Sequence, residues 1–217
     1  MNDSVEKTRS TKPKLILASA SPRRADLLRL LGLTFEIDPS HVDENHGMLL
    51  SPKEHVLETA KKKVDAVAPR YPNALILGAD TVVALGKDIL EKPIDPTDAR
   101  RMLEKLSGKK HQVLTGLTLT NTETGNTLSD VFSTDVTFRC LLPEEIHRYV
   151  ETGEPLDKAG AYGAQGQASV FIQSITGCFF NVVGLPLSGF WMLYHRLTGH
   201  LPAQADRLQD ASVFRNP

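Results

Sequence analysis

Hydrophobic and polar residues follow two different periods along this 217-residue chain, and each period predicts one kind of element. Apolar residues at helical spacing, bounded by caps, glycines or prolines, predict helices over residues 22–31, 52–67, 95–107, 143–151 and 187–197. Alternating or short continuous apolar runs predict strands over residues 15–18, 34–37, 74–79, 81–85, 112–121, 131–140, 169–173 and 179–183. Because helices and strands are mixed and at least one hairpin occurs, we predict an α/β fold with a mixed sheet.

The segment between the first strand and the first helix concentrates groups that bind anions. Ser21 is a favourable N-cap, and Pro22 suits the first helical position, where no backbone N–H is needed. Arg23 and Arg24 follow, although a helix N-terminus already carries partial positive charge. Together with the hydroxyls of Ser19 and Ser21 they indicate a site for an anion, most simply a phosphate. An ordinary strand-to-helix corner with solvated arginines is the alternative.

Three consecutive lysines, residues 61 to 63, lie inside the second predicted helix, whose apolar stripe comprises Val56, Ala60, Val64 and Val67. The helical period places Lys63 within roughly 20° of the stripe and Lys62 near the opposite face. A lysine on the inward face must reach a partner or a cleft, because burying it unpaired is costly. Snorkelling to the surface is the alternative. Of the three lysines, Lys63 is the functional candidate.

A carboxylate follows the most apolar strand. The run from Ala74 to Ala79 predicts a central strand covered on both faces, and this strand is expected to end at Asp80. Residues 81–85 then lead through a turn at Gly86 into a hairpin. A carboxylate at the end of a buried strand is costly unless it is paired, hydrogen-bonded or bound to a metal. A turn or cap residue is the alternative, and the hairpin argues against the cap.

Two polar loops carry weaker signals. Residues 41–45 contain the adjacent carboxylates Asp43 and Glu44, for which a solvated acidic loop is the favoured interpretation. Residues 153–166 contain four glycines, which permit a ligand to approach the backbone closely. Glycine-rich loops also occur for purely structural reasons, so this loop alone indicates no function.

Composition narrows the class of protein. Hydrophobic residues make up 41% of the chain, and no linker or repeat divides it, so we predict one domain over residues 13–200. The polar segments 1–12 and 203–217 are expected to be flexible tails. With 25 Lys and Arg against 26 Asp and Glu, the balanced charge argues against nucleic-acid or membrane partners.

The first residues, one apolar run and the cysteines bear on the cellular compartment of the protein. The first residues lack the apolar core of a signal peptide, and the apolar run from Cys178 to Leu193 is too short and interrupted to span a bilayer. The two cysteines, Cys140 and Cys178, imply neither a disulfide framework nor a metal site. We therefore expect a cytoplasmic protein.

Short motifs follow one another in the order SASPRR, ETAKKK, GADT, EKP, LSG and GEPLDKAGAYGAQG, with the carboxylate loop after the first. This order and spacing resemble the Maf family of nucleotide pyrophosphatases over roughly residues 14–197. The resemblance implies an elongated mixed sheet with two lobes around a central cleft, related to the inosine triphosphate pyrophosphatases. It also implies hydrolysis of a nucleoside triphosphate to the monophosphate and pyrophosphate, a divalent cation (Mg²⁺, Mn²⁺ or Co²⁺) and a possible homodimer.

The resemblance assigns roles to individual residues. Asp80 of GADT matches the general base or metal-organising carboxylate, and Glu44 matches the second acidic residue, so these two would hold the metal. The residues that match the family's substrate-binding positions are Ser19, Ser21, Arg24, Lys63 and Lys92. Whether Asp80 activates water directly or through the metal stays open. The choice of Lys63 from the helical period agrees with the family.

Three further positions separate substrate classes in the family, and here they are Arg23, Thr81 and Gln165. This set resembles the branch that prefers dTTP and UTP. The branch acting on 7-methyl-GTP carries a bulky aromatic residue where Arg23 stands. Gln165 offers a donor and an acceptor that match the edge shared by uracil and thymine. The alternatives are the 7-methyl-GTP branch and a non-catalytic nucleotide-binding regulator of septum formation, although a pure binder would need no catalytic carboxylates.

Overall fold

The computed structural model describes residues 13–43 and 50–202, and within them seven strands form one mixed sheet. The strands are β1 (Lys14–Leu17), β2 (Glu36–Ile37), β3 (Ala74–Leu85), β4 (Asp88–Leu90), β5 (Lys110–Asn121), β6 (Thr127–Phe138) and β7 (Ile172–Thr176). Their order is β2-β1-β3-β5-β6-β7, and β4 pairs with β3. β1 runs parallel to β2 and β3, whereas the remaining pairs are antiparallel. The predicted α/β fold with a mixed sheet is therefore confirmed.

Helices cover both faces of this sheet. They are α1 (Pro22–Leu30), α2 (Pro52–Val67), α3 (Pro96–Leu106), α4 (Pro143–Glu151), α5 (Phe179–Val183) and α6 (Leu187–Thr198). Each of the first four begins with proline in its first turn, where the missing N–H costs nothing. The Ser51–Glu54 capping box fixes the start of α2. Ser21 occupies the N-cap position of α1, but its side chain makes no capping hydrogen bond.

Two hydrophobic clusters lie on one face of the sheet, at opposite ends of the long strands. One contains Leu77 and Phe190 and packs α1 and α6 against the sheet. The other contains Val83 and Phe138 and packs α3 and α4. These clusters correspond to the two predicted lobes. On the opposite face, α2 packs through its predicted stripe, all of whose members are at most 1% exposed.

Two glycines bring α2 unusually close to the sheet. A Cβ atom on Gly78 of β3 would lie 2.3 Å from the carbonyl oxygen of Ala60, and one on Gly116 of β5 would lie 2.3 Å from that of Val56. Any side chain at these positions would push the helix away from the sheet. The close approach brings the lysine on the inward face of α2 to the backbone of β3.

Three predicted strands differ from the structure. β3 is continuous from Ala74 to Leu85, so the prediction that the strand ends at Asp80 is wrong, and Asp80 pairs with Gly116 across the ladder. Residues 167–171 form a 3₁₀ turn, and the strand begins only at residue 172. Residues 179–183 form a helix rather than a strand. Tertiary contacts outweigh the apolar strand-like pattern there, because the buried Asn181 amide donates to the carbonyl of Val113 and the hydroxyl of Thr134.

The remaining elements lie where the sequence pattern predicts them, within a few residues at their ends. The expected tails, residues 1–12 and 203–217, fall outside the described residues, so the domain boundaries stay a prediction. Glu44 falls in the other undescribed segment.

Candidate active site

A cavity of about 790 Å³ lies against the middle of β3. Its walls come from the turn after β1, from residues 80–83 of β3, and from the loop between α4 and β7. Nine of the predicted site residues line it: Ser19, Ser21, Arg23, Arg24, Lys63, Asp80, Thr81, Lys92 and Gln165. Residues that are up to 146 positions apart in the sequence are therefore brought together, as from Ser19 to Gln165. The tenth, Glu44, lies outside the described residues.

The cavity lies at a gap in the sheet. β1 pairs with β3 only as far as Leu77, and β4 begins to pair with it at Val83. Within the described residues, no strand covers this edge of β3 between those two points. Side chains from both faces of β3 can therefore reach the same space.

A buried ion pair lies in this gap. The Lys63 ammonium lies 2.8 Å from Asp80 Oδ1 and also donates to the carbonyl oxygen of Ala79 at 3.3 Å. The side chains of Lys63 and Asp80 are only 6% and 7% exposed. Lys63 thus points inward, as the helical period predicts, and does not snorkel to the surface. The pair supplies a carboxylate whose position is fixed by the hydrogen bond from Lys63.

Arg24 connects three segments that line the cavity. Its Nε donates to the carbonyl of Gly184 at 3.0 Å, and its two terminal nitrogens donate to Ser19 Oγ at 3.0 Å and Thr81 Oγ1 at 3.1 Å. Thr81 Oγ1 in turn lies 2.9 Å from the buried Thr115 hydroxyl. These hydrogen bonds fix the guanidinium beside the Ser19 turn, as the predicted anion site requires.

Arg23 points to the rim, where it pairs with a residue that the sequence analysis missed. Its guanidinium lies 2.9 Å from Asp157 Oδ2 and also donates to the Asp157 carbonyl at 3.3 Å. Lys158 donates to the other carboxylate oxygen at 2.6 Å. Burial acts to raise the pKa of Asp157, but the hydrogen bonds from Lys158 and Arg23 outweigh it and lower that pKa. Asp157 therefore offsets the charge of Arg23 at the rim of the cavity.

His55 is a second residue that the sequence pattern did not identify. It lies on α2 and is 6% exposed, with Nε2 at 4.0 Å from Asp80 Oδ2 and 3.8 Å from Glu91 Oε1. Glu91 and the neighbouring Lys92 follow β4 and line the cavity. Because His55 precedes the first residue of the apolar stripe, the helical pattern gave no reason to place it inward.

The glycine-rich loop has both a structural and a site role. Cβ atoms on Gly163 and Gly166 would lie within 3.0 Å of Glu154 side-chain atoms, so the glycines allow the loop to pack on that side chain. The same loop places Gln165 along the cavity. The structural interpretation of the glycines and the functional interpretation of the loop are therefore compatible.

The positions of the possible metal-ligating side chains restrict how a metal could bind. Among the described residues, no group of three or more His, Cys, Asp or Glu side chains could hold a metal ion. Magnesium at nucleotide sites uses one or two carboxylates together with substrate phosphates and water. Asp80, which lines the same cavity as the Ser19–Arg24 turn, fits a cation that binds together with a phosphate-bearing ligand. In the described part of the chain, no helix is long and apolar enough to cross a bilayer.

Comparison with known proteins gives the family. Residues 14–197 match the family model described as Maf-like protein. The dTTP/UTP pyrophosphatase of Desulforamulus reducens is 49% identical over 174 residues, covering 80% of this chain and 91% of that protein. The protein of the same name from Moorella thermoacetica is 50% identical over 174 residues, covering 80% and 90%. The structure of the Staphylococcus aureus Ham1 protein aligns with a TM-score of 0.37 at 12% identity over 58% of this chain and 71% of that one, which is too weak to support any argument. The first three matches confirm the resemblance drawn from the motifs, and the chain belongs to the Maf-like protein family.

Proposed function

We propose that this protein is a nucleoside triphosphate pyrophosphatase that hydrolyses dTTP and UTP to the monophosphate and pyrophosphate. The observation that carries the proposal is that the Lys63–Asp80 pair and the Ser19–Arg24 turn line the same cavity. The names of relatives that share about half of its residues support the same activity and the same substrates.

The proposed hydrolysis follows from two groups of residues that line the cavity, the Ser19–Arg24 turn and the Lys63–Asp80 pair. The turn with Ser19, Ser21 and Arg24 binds the phosphate chain, and Lys92 adds positive charge. Water attacks the α-phosphorus in line with the bridging oxygen to the β-phosphorus, the bond to that oxygen breaks, and pyrophosphate leaves. The proton of the attacking water passes to the Asp80 carboxylate and then to solvent, while the hydrogen bond from Lys63 holds the carboxylate in place.

A divalent cation, Mg²⁺, Mn²⁺ or Co²⁺, belongs to this proposal. Asp80, together with Glu44 from outside the described residues, would hold it. When bound, the cation neutralises phosphate charge that builds up on the leaving group. The substrate class and the two free thiols, Cys140 and Cys178, also agree with a cytoplasmic location.

We assign base recognition to the part of the cavity that Gln165 lines. Gln165 offers the donor and acceptor for the pyrimidine edge, and the Arg23–Asp157 pair lines the same cavity. The Thr81 hydroxyl is held by Arg24 and Thr115. We infer that Thr81 acts mainly by positioning Arg24.

A pyrophosphate-release assay tests the proposal. Purified protein is incubated with magnesium and, separately, with dTTP, UTP, CTP, ATP, GTP and 7-methyl-GTP, and the products are separated by ion-exchange chromatography. We expect monophosphate and pyrophosphate, with the highest kcat/KM for dTTP and UTP. Diphosphate and free phosphate would contradict cleavage at the α–β bond. Tight nucleotide binding with no turnover would instead support a non-catalytic regulator, and a preference for 7-methyl-GTP would overturn only the branch assignment.

A further inference from the structure

The loop that carries Gln165 is attached on both sides of that residue to one hydrogen-bonded pair. The backbone N–H of Gly163 donates to the Tyr149 hydroxyl at 3.2 Å. The backbone N–H of Gln167 donates to Glu154 Oε2 at 3.1 Å. The Tyr149 hydroxyl donates to Glu154 Oε1 at 3.1 Å, which joins the two attachments. A change in either member of the pair therefore alters the support of Gln165 from both sides.

The fit of the loop on this pair leaves little space. A Cβ atom on Gly166 would lie 1.9 Å from Glu154 Oε1, and one on Gly163 would lie 3.0 Å from the same oxygen. The backbone on either side of Gln165 thus rests directly on the carboxylate. A side chain at Gly166 would therefore displace either the loop or Glu154.

The pair itself is held firmly in the structure. Tyr149 belongs to α4, is 4% exposed, and packs edge-on against Phe171 with ring centroids 5.3 Å apart. Burial, aided by the nearby charge of Glu154, raises the pKa of Tyr149 well above its usual range, so the phenol keeps the proton that it donates. Lys158 donates to the Glu154 carbonyl at 2.6 Å and fixes the main chain there. Both members are therefore held by contacts within the chain.

We propose that Tyr149 and Glu154 are positioning residues for base selectivity. They hold Gln165 at the distance from the bound base at which its amide forms both hydrogen bonds to a pyrimidine. Tyr149 packs in the second hydrophobic cluster, behind the cavity wall. The inference rests on the proposed function, in which Gln165 recognises the base, and adds the residues that make its position accurate.

The decisive variant is Tyr149→Phe, which keeps the ring and its packing and removes only the hydroxyl. Loss of a hydrogen bond to a charged acceptor predicts that the ratio of kcat/KM for dTTP to that for GTP falls by about tenfold. The change should appear mainly in KM for dTTP, with kcat for dTTP within about threefold of wild type. A merely structural role would lower turnover of all nucleotides together and leave the ratio unchanged.

Two glutamate variants and one control complete the test. In Glu154→Gln the amide can accept from Gln167 and donate to the Tyr149 oxygen, so selectivity should fall less than in Glu154→Ala. Tyr194→Phe removes the hydroxyl of another buried tyrosine, 7% exposed in the first cluster, and should leave the ratio unchanged. Thermal unfolding of each variant checks that the compared proteins are folded.

The outcomes separate the two proposals. If wild type releases pyrophosphate selectively from dTTP and UTP while Tyr149→Phe and Glu154→Ala keep its ratio, the positioning role is wrong and the proposed function stands. Equal losses for every nucleotide would lead to the same conclusion. If wild type neither hydrolyses nor binds any of the nucleotides, both proposals are wrong, because Gln165 would then have no base to recognise.

Discussion

Replacement of Lys63 by methionine tests whether the buried ion pair is both a structural and a catalytic feature. Methionine keeps the length and apolar stem of lysine and removes the charge. The Asp80 carboxylate, which is 7% exposed, then loses the Lys63 ammonium that lies 2.8 Å from it in the wild type. Removal of one partner of a buried pair costs about 3–5 kcal/mol, so we expect the free energy of unfolding to fall by that amount. We also expect kcat/KM for dTTP to fall by about 10²-fold or more, as for loss of a preorganised electrostatic contact.

The measurement is a double-mutant cycle. Urea unfolding, followed by the fluorescence of the single tryptophan, Trp191, is recorded for Lys63→Met, Asp80→Asn and the double variant. The double variant contains no unpaired carboxylate, so it should be more stable than Lys63→Met alone, and the two single effects should fail to add by about 1–3 kcal/mol. Lys62→Met is the matched control, because Lys62 is the exposed neighbour on the same helix.

The control also sets the result that would refute this reasoning. Lys62→Met should change the free energy of unfolding by no more than about 0.5 kcal/mol, as expected for an exposed position. Equal losses of activity from Lys62→Met and Lys63→Met would show that the position on the helix does not matter. Additive stability effects of Lys63→Met and Asp80→Asn would show that the pair contributes no coupling.

Three further predictions concern single residues. Asp80→Asn keeps the shape of the side chain but removes the base, so turnover of dTTP should fall by about 10²-fold or more while the circular dichroism spectrum is retained; near-native turnover of a folded variant would contradict the assignment. Burial lowers the pKa of His111 from 6.5 to about 4, so the unfolded chain binds a proton before the native state does as the pH falls. At 1.36 kcal/mol per pH unit, wild type should therefore lose about 3 kcal/mol more unfolding free energy than His111→Phe between pH 7 and pH 4, and equal pH slopes would refute this. Gly116→Ala should displace α2, because its Cβ would lie 2.3 Å from the Val56 carbonyl oxygen. We expect the free energy of unfolding to fall by about 1–3 kcal/mol and the activity to fall with it. Gly125→Ala, at an open turn with its own backbone strain, should retain activity.

Local patterns predicted the parts of the site that a single element determines. The helical period alone places Lys63 inward, because the stripe from Val56 to Val67 defines the buried face of α2. The turn from Ser19 to Arg24 could likewise be predicted, since strand, N-cap and proline follow one another within a few residues. In both cases the information lies within a single helix or the turn that precedes it.

Contacts between distant segments explain what the sequence pattern missed. An isolated carboxylate favours a chain turn after Ala79, but Lys63, 17 positions earlier, compensates Asp80 and lets β3 continue. The Tyr149–Glu154 pair could not be inferred from either residue alone, because its purpose depends on where the loop with Gln165 folds back. Such effects depend on tertiary geometry, which no local period contains.

The open edge of β3 explains how one cavity collects groups from both faces of the sheet. Successive side chains of a strand point to opposite faces, so Asp80 contacts α2 whereas Thr81 contacts Arg24. A neighbouring strand along this edge would separate the two side chains from any shared ligand. β1 stops pairing at Leu77, and the chain then turns at Ser19 into α1, which leaves the edge between β1 and β4 uncovered. In the proposed mechanism the turn therefore serves two purposes at once: it would supply the phosphate-binding groups, and by ending the strand it exposes the carboxylate to the phosphate that those groups would bind.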